Sequence, residues 1–193
     1  MIEMHDVCRE FLELLQKQID GRINIKRKER SRWWQVLPEP FLSLNTTLGW
    51  TLWLRPSSKV LNNPANGLAL LVHEAEHWRQ RKILGRLEFL FKYLRKSSRL
   101  ELEVSSYSIE WAYTRYILLR ELPNQVDLNG TYRLQYAERL VTILSRAPYY
   151  LRYSSRKQML KIVLNAMERK EKEINIPKGT TLLIAAKICT GLE

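Results

Sequence analysis

The chain has 193 residues, 45% hydrophobic and 27% charged, the balance of a globular protein large enough to bury a core within one domain and neither disordered nor membrane-embedded. Its 32 Lys and Arg against 20 Asp and Glu give a net charge of +12, which favours anionic partners such as nucleic acid, acidic proteins or phospholipid surfaces. Cys8 and Cys189, near opposite ends, make neither a disulfide framework nor a thiolate metal site, and the longest uncharged run, Phe41 to Leu54, is too short and too polar to span a bilayer.

The opening MIEMHDVCRE lacks the basic-then-apolar pattern of a secretory signal, so a reducing, cytoplasmic setting is the expectation. Residues 6–20 carry Val7, Phe11, Leu12, Leu14, Leu15 and Ile19 at roughly helical spacing and stop at Asp20-Gly21, which predicts an amphipathic helix. The stretch INIKRKERSRWWQVLPEP is basic, then aromatic, then broken by Pro38 and Pro40, and reads as a strand or an exposed loop. Residues 41–55, FLSLNTTLGWTLWLR, are rich in β-branched and aromatic side chains, with Asn45 to Gly49 as the turn of a predicted β-hairpin.

After the loop PSSKVLNNPANG, helices are predicted over about 66–83, 86–96 and 98–121, bounded by Gly85 and Pro123. A turn at PNQVDLNG leads to helices over about 131–146 and 154–173 with a bend at Pro148 between them, and the apolar tail TTLLIAAKIC suits either a helix or a strand. The expected fold class is therefore α+β and mainly helical. A single domain over 1–193 would hold a core at about 41–121, where a short hairpin or sheet packs on the helix after Asn66, and a helical C-terminal part at about 131–193.

That helix contains HEAEH. Residues i and i+4 share a helix face, so His73 and His77 can present two imidazoles to one ion, and the expected cofactor is one Zn2+ per chain. Catalytic zinc takes three protein ligands and a water whose pKa falls to about 7, and Glu74, beside the first histidine, can accept that water's proton and pass it to a leaving amine. The run LALLV immediately before His73 predicts that the motif starts buried, where polar side chains need partners.

The chain has three histidines, and His5, the remaining one, lies far upstream. The third His of the metzincin and SprT or Spartan patterns is thus missing, and a downstream carboxylate is left, as in the gluzincins. Glu101 and Glu103 in SSRLELEVSSYSIEWAY are the candidates, and two positions apart on one helix they cannot both face the metal. Glu101 shares its face with Ser105, Ser108 and Ala112, small enough for the motif helix to come close. Glu103 shares its face with Tyr107, Glu110 and Thr114, which reads as a partly solvated side. Periodicity thus favours Glu101, with Glu103 as the alternative.

The two motifs together resemble the gluzincin peptidases, in particular the CAAX-prenyl-endopeptidase and HtpX type. In those a second motif, S-R-x-x-E-[FY]-x-A-D, supplies the zinc-binding Glu, and Ser98, Arg99, Glu101, Val104 and Ser105 stand in comparable places. Arg99 sits one residue closer to the Glu than in that pattern, Ser105 replaces the Asp that would orient a ligand, and the membrane helices of that family are absent. A closer resemblance is to short, soluble HExxH metallopeptidases of bacteria and phages, with Gln80 and Gly85 of HEAEHWRQRKILGRLEFLFKYL in place. It covers about residues 60–112. It implies a zincin-like fold and hydrolysis of a protein or peptide substrate, and virion association if the protein is phage-encoded.

Such peptidases bind the substrate main chain along an edge strand, for which the 41–55 hairpin is the candidate, and stabilise an oxyanion with a donor for which Tyr107, Tyr149, Tyr150 and Tyr153 are available. Two rival readings stand beside the peptidase. Lys26, Arg27, Lys28, Arg30 and Arg32, followed by Trp33 and Trp34, would suit phosphates and stacked bases in a nucleic-acid-binding protein. A zinc-binding but inactive relative with a structural role would keep the ligands without the chemistry, and the C-terminal tail could occupy the cleft of a latent enzyme.

Overall fold

The Asp6 to Ile19 segment, α1, places Cys8, Phe11, Leu12, Leu15 and Ile19 on one buried face, as its spacing predicts. The structure is a computed structural model, and it describes residues 2–19, 22–37, 45–123, 130–146 and 155–192. Three strands follow α1: β1 (Asn24–Arg27), β2 (Thr46–Leu48) and β3 (Thr51–Leu54). They form one sheet in the order β1-β3-β2, with β1 parallel and β2 antiparallel to β3. The basic segment read as strand or loop is thus a strand at its start, followed by a 3-10 turn (Lys28–Arg30) and a one-turn helix, α2 (Arg32–Gln35).

The predicted hairpin forms, but its turn lies at Gly49 and Trp50 rather than across Asn45 to Gly49. Gly49 takes φ 66°, which a side chain resists, and so fixes the reversal. A Cβ at Gly49 would also come within 2.9 Å of the Arg81 guanidinium, which lies 4.7 Å over the Trp50 ring. The hairpin is thereby held against the motif helix. Residues 41–44 of the predicted hairpin, the bend at Pro148 and residues 124–129 of the PNQVDLNG turn lie outside the described residues.

The motif helix, α3 (Pro64–Leu84), starts two residues earlier than the hydrophobic pattern alone suggests. Pro64 occupies its first turn, and the Asn63 side chain accepts a 2.9 Å hydrogen bond from the Asn66 amide. Then come α4 (Arg86–Leu94), α5 (Lys96–Glu121), α6 (Thr131–Ser145), α7 (Arg156–Glu173) and α8 (Leu182–Thr190). The apolar tail is a helix, capped by Thr181 and closed by Gly191 in the left-handed region.

Two apolar clusters organise these elements. The larger joins α1, Leu52 and Leu54 of β3, Leu68, Leu71, Val72, Ala75 and Trp78 of α3, Ile109 and Tyr113 of α5, and Ala185, Ala186 and Cys189 of α8. The smaller sets Leu100, Val104 and Trp111 of α5 against Ala137, Leu140, Val141 and Leu144 of α6 and Met159, Val163 and Met167 of α7. Helix α5 is therefore a wall shared by two cores. The C-terminal tail belongs to the larger core rather than to a cleft, which corrects the expectation that it could act as a plug. The fold class is α+β, mainly helical, as expected. No helix among the described residues is long and apolar enough to cross a membrane.

Candidate metal centre

Helix α3 is buried on nearly every side along its middle: each residue from Leu71 to Trp78 is buried. An apolar helix would manage this by packing alone, but His73, Glu74, Glu76 and His77 must each find a polar partner there. Glu76 is fully provided for within the helix pair. Arg79 donates to both its oxygens at 2.6 and 2.7 Å, Ser105 at 2.9 Å and Gln80 at 3.2 Å. Burial works against its charge, but Arg79 and these donors outweigh it and hold its carboxyl below the usual range.

The two histidines are each held by Nδ1. His73 Nδ1 meets Glu110 Oε2 at 2.9 Å, and the Tyr136 hydroxyl of α6 hydrogen-bonds the same carboxylate. His77 Nδ1 lies 3.1 Å from Gln80 Oε1 and 3.2 Å from the Ser106 hydroxyl. The Gln80 amide nitrogen donates to Glu76 and to the Leu102 carbonyl, which turns its oxygen toward His77. Both imidazoles therefore donate through Nδ1 and present Nε2 to a common point.

Glu103 faces that point. Its Oε2 lies 3.6 Å from His77 Nε2 and 3.9 Å from His73 Nε2, longer than hydrogen bonds, while its Oε1 accepts a 2.6 Å bond from the Tyr93 hydroxyl of α4. Oε2 is buried and has no hydrogen-bond partner. A buried carboxylate oxygen that reaches two imidazole nitrogens only at ion-pair distance, with no hydrogen bond, is one that a cation between them would satisfy better. Ligand atoms of His73, His77 and Glu103 lie within 4.8 Å of one another, and all three residues are buried, so the group can hold a metal ion.

The expected third ligand, Glu101, is exposed. The structure reverses the preference and brings forward the alternative, Glu103. The reason is rotational: the α5 face on α3 runs through Glu103, Ser106, Tyr107 and Glu110, about one turn apart, and Glu101 stands about 200° away from Glu103. The stripe read as partly solvated is the side that faces the two histidines, with Tyr107 edge-on to the His73 ring at 4.3 Å between centroids. Ser105 bonds Glu76 and does not touch the histidines' Nδ1 atoms, a task that falls to Glu110, Gln80 and Ser106.

Glu74 is buried beside this group without belonging to it, and its Oε2 accepts a hydrogen bond from the Thr47 hydroxyl of β2. Its charge reaches both His73 and His77. Burial opposes protonation of His77, but Glu103, Glu74 and Gln80 outweigh it and raise its pKa to about 9. His73 moves upward for the same balance, with Glu110 as its main partner. Glu103 moves downward, burial being outweighed by the two imidazoles and Tyr93.

The basic cluster does not form one surface. Lys28 has no exposed area, donates to Thr46 Oγ1 at 2.8 Å and lies 4.1 Å over the Trp34 ring, itself buried. Burial lowers its pKa to about 8 against the opposing pull of Glu74. Arg27 pairs with Glu29 at 3.6 Å, Lys26 lies 5.5 Å over the Trp53 ring, and Arg30 and Arg32 are exposed with the half-exposed Trp33. Of the tyrosines named as oxyanion donors, Tyr107 alone is among the described residues. Sequence reasoning misses Tyr93 and Glu110, although the spacing of Glu103, Tyr107 and Glu110 on one helix could have flagged Glu110.

Against known proteins the chain stands apart: no family model matches it, and no characterised protein or solved structure is detectably similar to it.

Proposed function

We propose that the protein is a zinc-dependent peptidase that uses Glu74 as general base. The observation that carries this reading is the buried carboxylate of Glu74 next to, but outside, the His73, His77 and Glu103 group. A purely structural site has no use for a carboxylate beside the ligands that is not one of them, and would close its fourth position with a ligand. Two imidazoles and one carboxylate are a donor set that suits zinc, which when bound supplies Lewis acidity toward a water and a carbonyl.

The chain's own groups divide the remaining work. The hydrogen bond from Thr47 leaves Glu74 one oxygen to take a proton from the attacking water and return it to the leaving amine. Thr47 lies on β2, which pairs with β3 alone among the described residues, so its outer edge offers main-chain donors and acceptors to an extended peptide. A substrate added there would run past Glu74. The edge strand named from sequence is thus supported by a specific contact to the base.

The test is Glu74→Gln in the full chain. Metal analysis should still give about one zinc per chain, while cleavage of a mixed peptide library, followed by mass spectrometry, falls by a factor on the order of 1,000 or more. Undiminished cleavage by this variant, or wild-type protein that takes up no zinc, would remove the proposal.

A further inference from the structure

Helix α4 buries none of its nine residues, although Leu87, Phe89, Leu90, Phe91, Tyr93 and Leu94 make it mostly apolar. Its two sides differ. Tyr93 turns inward to Glu103, and Phe89 stacks on Tyr93 at 5.7 Å between ring centroids. Leu87, Leu90, Phe91 and Leu94, at spacings of three and four, share the other side and are 72, 50, 63 and 68% exposed. Twelve large apolar side chains stand exposed among the described residues, and five of them fall between Ile83 and Leu94. Scattered apolar residues need no account, but a continuous helical stripe does.

The charge around the stripe indicates what covers it. From Arg79 to Arg99 the sequence carries eight Lys and Arg and one acid, Glu88, which pairs with Lys92 at 3.1 Å. Arg86, Arg95 and Lys96 are exposed at the ends of the stripe. A second copy of the chain would set these cations against their equals, so self-association on this face is disfavoured. Nucleic acid would satisfy the cations but offers nothing to the branched aliphatic side chains. A helix with leucines and phenylalanine on one face, ringed by Arg and Lys, matches the boundary between acyl chains and anionic headgroups.

We infer that α4 docks the protein on an anionic phospholipid surface, with Leu87, Leu90, Phe91 and Leu94 entering the interface and Arg86, Arg95 and Lys96 meeting the headgroups. Because Tyr93 on the same helix holds Glu103, docking would set the candidate metal centre one helix away from the bilayer. The inference does not depend on the peptidase reading.

It is tested by co-sedimenting the full chain with vesicles of phosphatidylcholine and phosphatidylglycerol in equal parts, and with phosphatidylcholine alone. Binding is expected on the mixed vesicles, weaker by about tenfold or more on the neutral ones, and reduced by added salt. Leu90→Ser with Leu94→Ser, and separately Arg95→Glu with Lys96→Glu, should each lower binding to mixed vesicles by about tenfold or more while thermal unfolding stays near that of the wild type, since all four side chains are exposed. Binding should be the same with zinc and with chelator. Wild-type protein that stays in the supernatant, or variants that sediment like it, would overturn the inference. So would concentration-dependent dimerisation lost in the leucine variant without vesicle binding, which would give the face to a second copy.

Discussion

The Tyr93 hydroxyl fixes one oxygen of Glu103 at 2.6 Å and leaves the other buried between two histidines with no donor. The carboxylate is thereby held by a residue from a different helix, α4. Glu103→Gln should abolish tight metal uptake, whereas Glu101→Gln, at an exposed position, should leave it unchanged. Tyr93→Phe should weaken affinity by about 10- to 100-fold without removing the site. Titration with a chromophoric zinc chelator separates the three, and a loss confined to Glu101→Gln would sink the ligand assignment.

Glu110 acts on His73 from behind, and Tyr136 in turn acts on Glu110. With Gln in place of Glu110, the amide can offer His73 Nδ1 either an oxygen or a nitrogen, and the tautomer that exposes Nε2 is no longer enforced. Zinc affinity should fall by about 10- to 100-fold in Glu110→Gln, with the far-ultraviolet circular dichroism unchanged. An unaltered affinity would mean that packing alone orients the ring.

Much of this arrangement is legible in the order of residues alone. The spans predicted for the helices from Asn66 to Glu173 agree with the observed ones to within a few residues, and Gly85 and Pro123 mark the ends of two of them. The HEAEH spacing is intrinsic to one helix and needs no tertiary knowledge. The choice between Glu101 and Glu103 does, because it depends on how α5 is rotated between two cores, and the smaller cluster of Leu100, Val104 and Trp111 faces α6 and α7. A stripe of Glu, Tyr and Glu reads as solvated unless the opposing helix is known to bury its own polar groups. Lys28 reads as a surface cation for a similar reason: its ring and hydroxyl partners, Trp34 and Thr46, come from other elements. The parallel pairing of β1 with β3 joins segments 27 residues apart in register and leaves no local signature.

Gly67, at the start of α3, lies where α1 and the turn before α3 converge. A Cβ there would meet Cys8 Sγ at 2.5 Å and the Leu61 Cα at 3.2 Å, and neither can withdraw, since Cys8 is fully buried and Leu61 offers backbone. The helical gain of alanine is outweighed by overpacking, and Gly67→Ala should cost about 1–3 kcal/mol. Chemical denaturation of the two proteins measures this, and a more stable variant would show that α1 can shift freely.

The electrostatics of the metal-free site predict how stability and metal binding change with pH. His77 is raised from 6.5 to about 9 despite burial, because Glu103 and Glu74 stand beside it. A histidine raised on folding stabilises fully below its unfolded value near 6.5, and that contribution is lost as pH climbs through about 9. Glu103 is lowered, so its contribution is present above the unfolded value of 4.5 and disappears as pH falls through its lower folded value. The metal-free protein should therefore keep this stabilisation between those two unfolded values and lose it on the alkaline side. A metal ion takes the place of the protons on the imidazoles, so its competition with them eases over the same range. The gain in Tm on adding zinc to chelator-treated protein should accordingly grow by several degrees from about pH 6 to about pH 9. The comparison is internal at each pH, which removes the effect of the large positive net charge. Glu103→Gln should flatten the dependence, and a zinc-induced gain that shrinks with rising pH in the wild type would contradict the site as described.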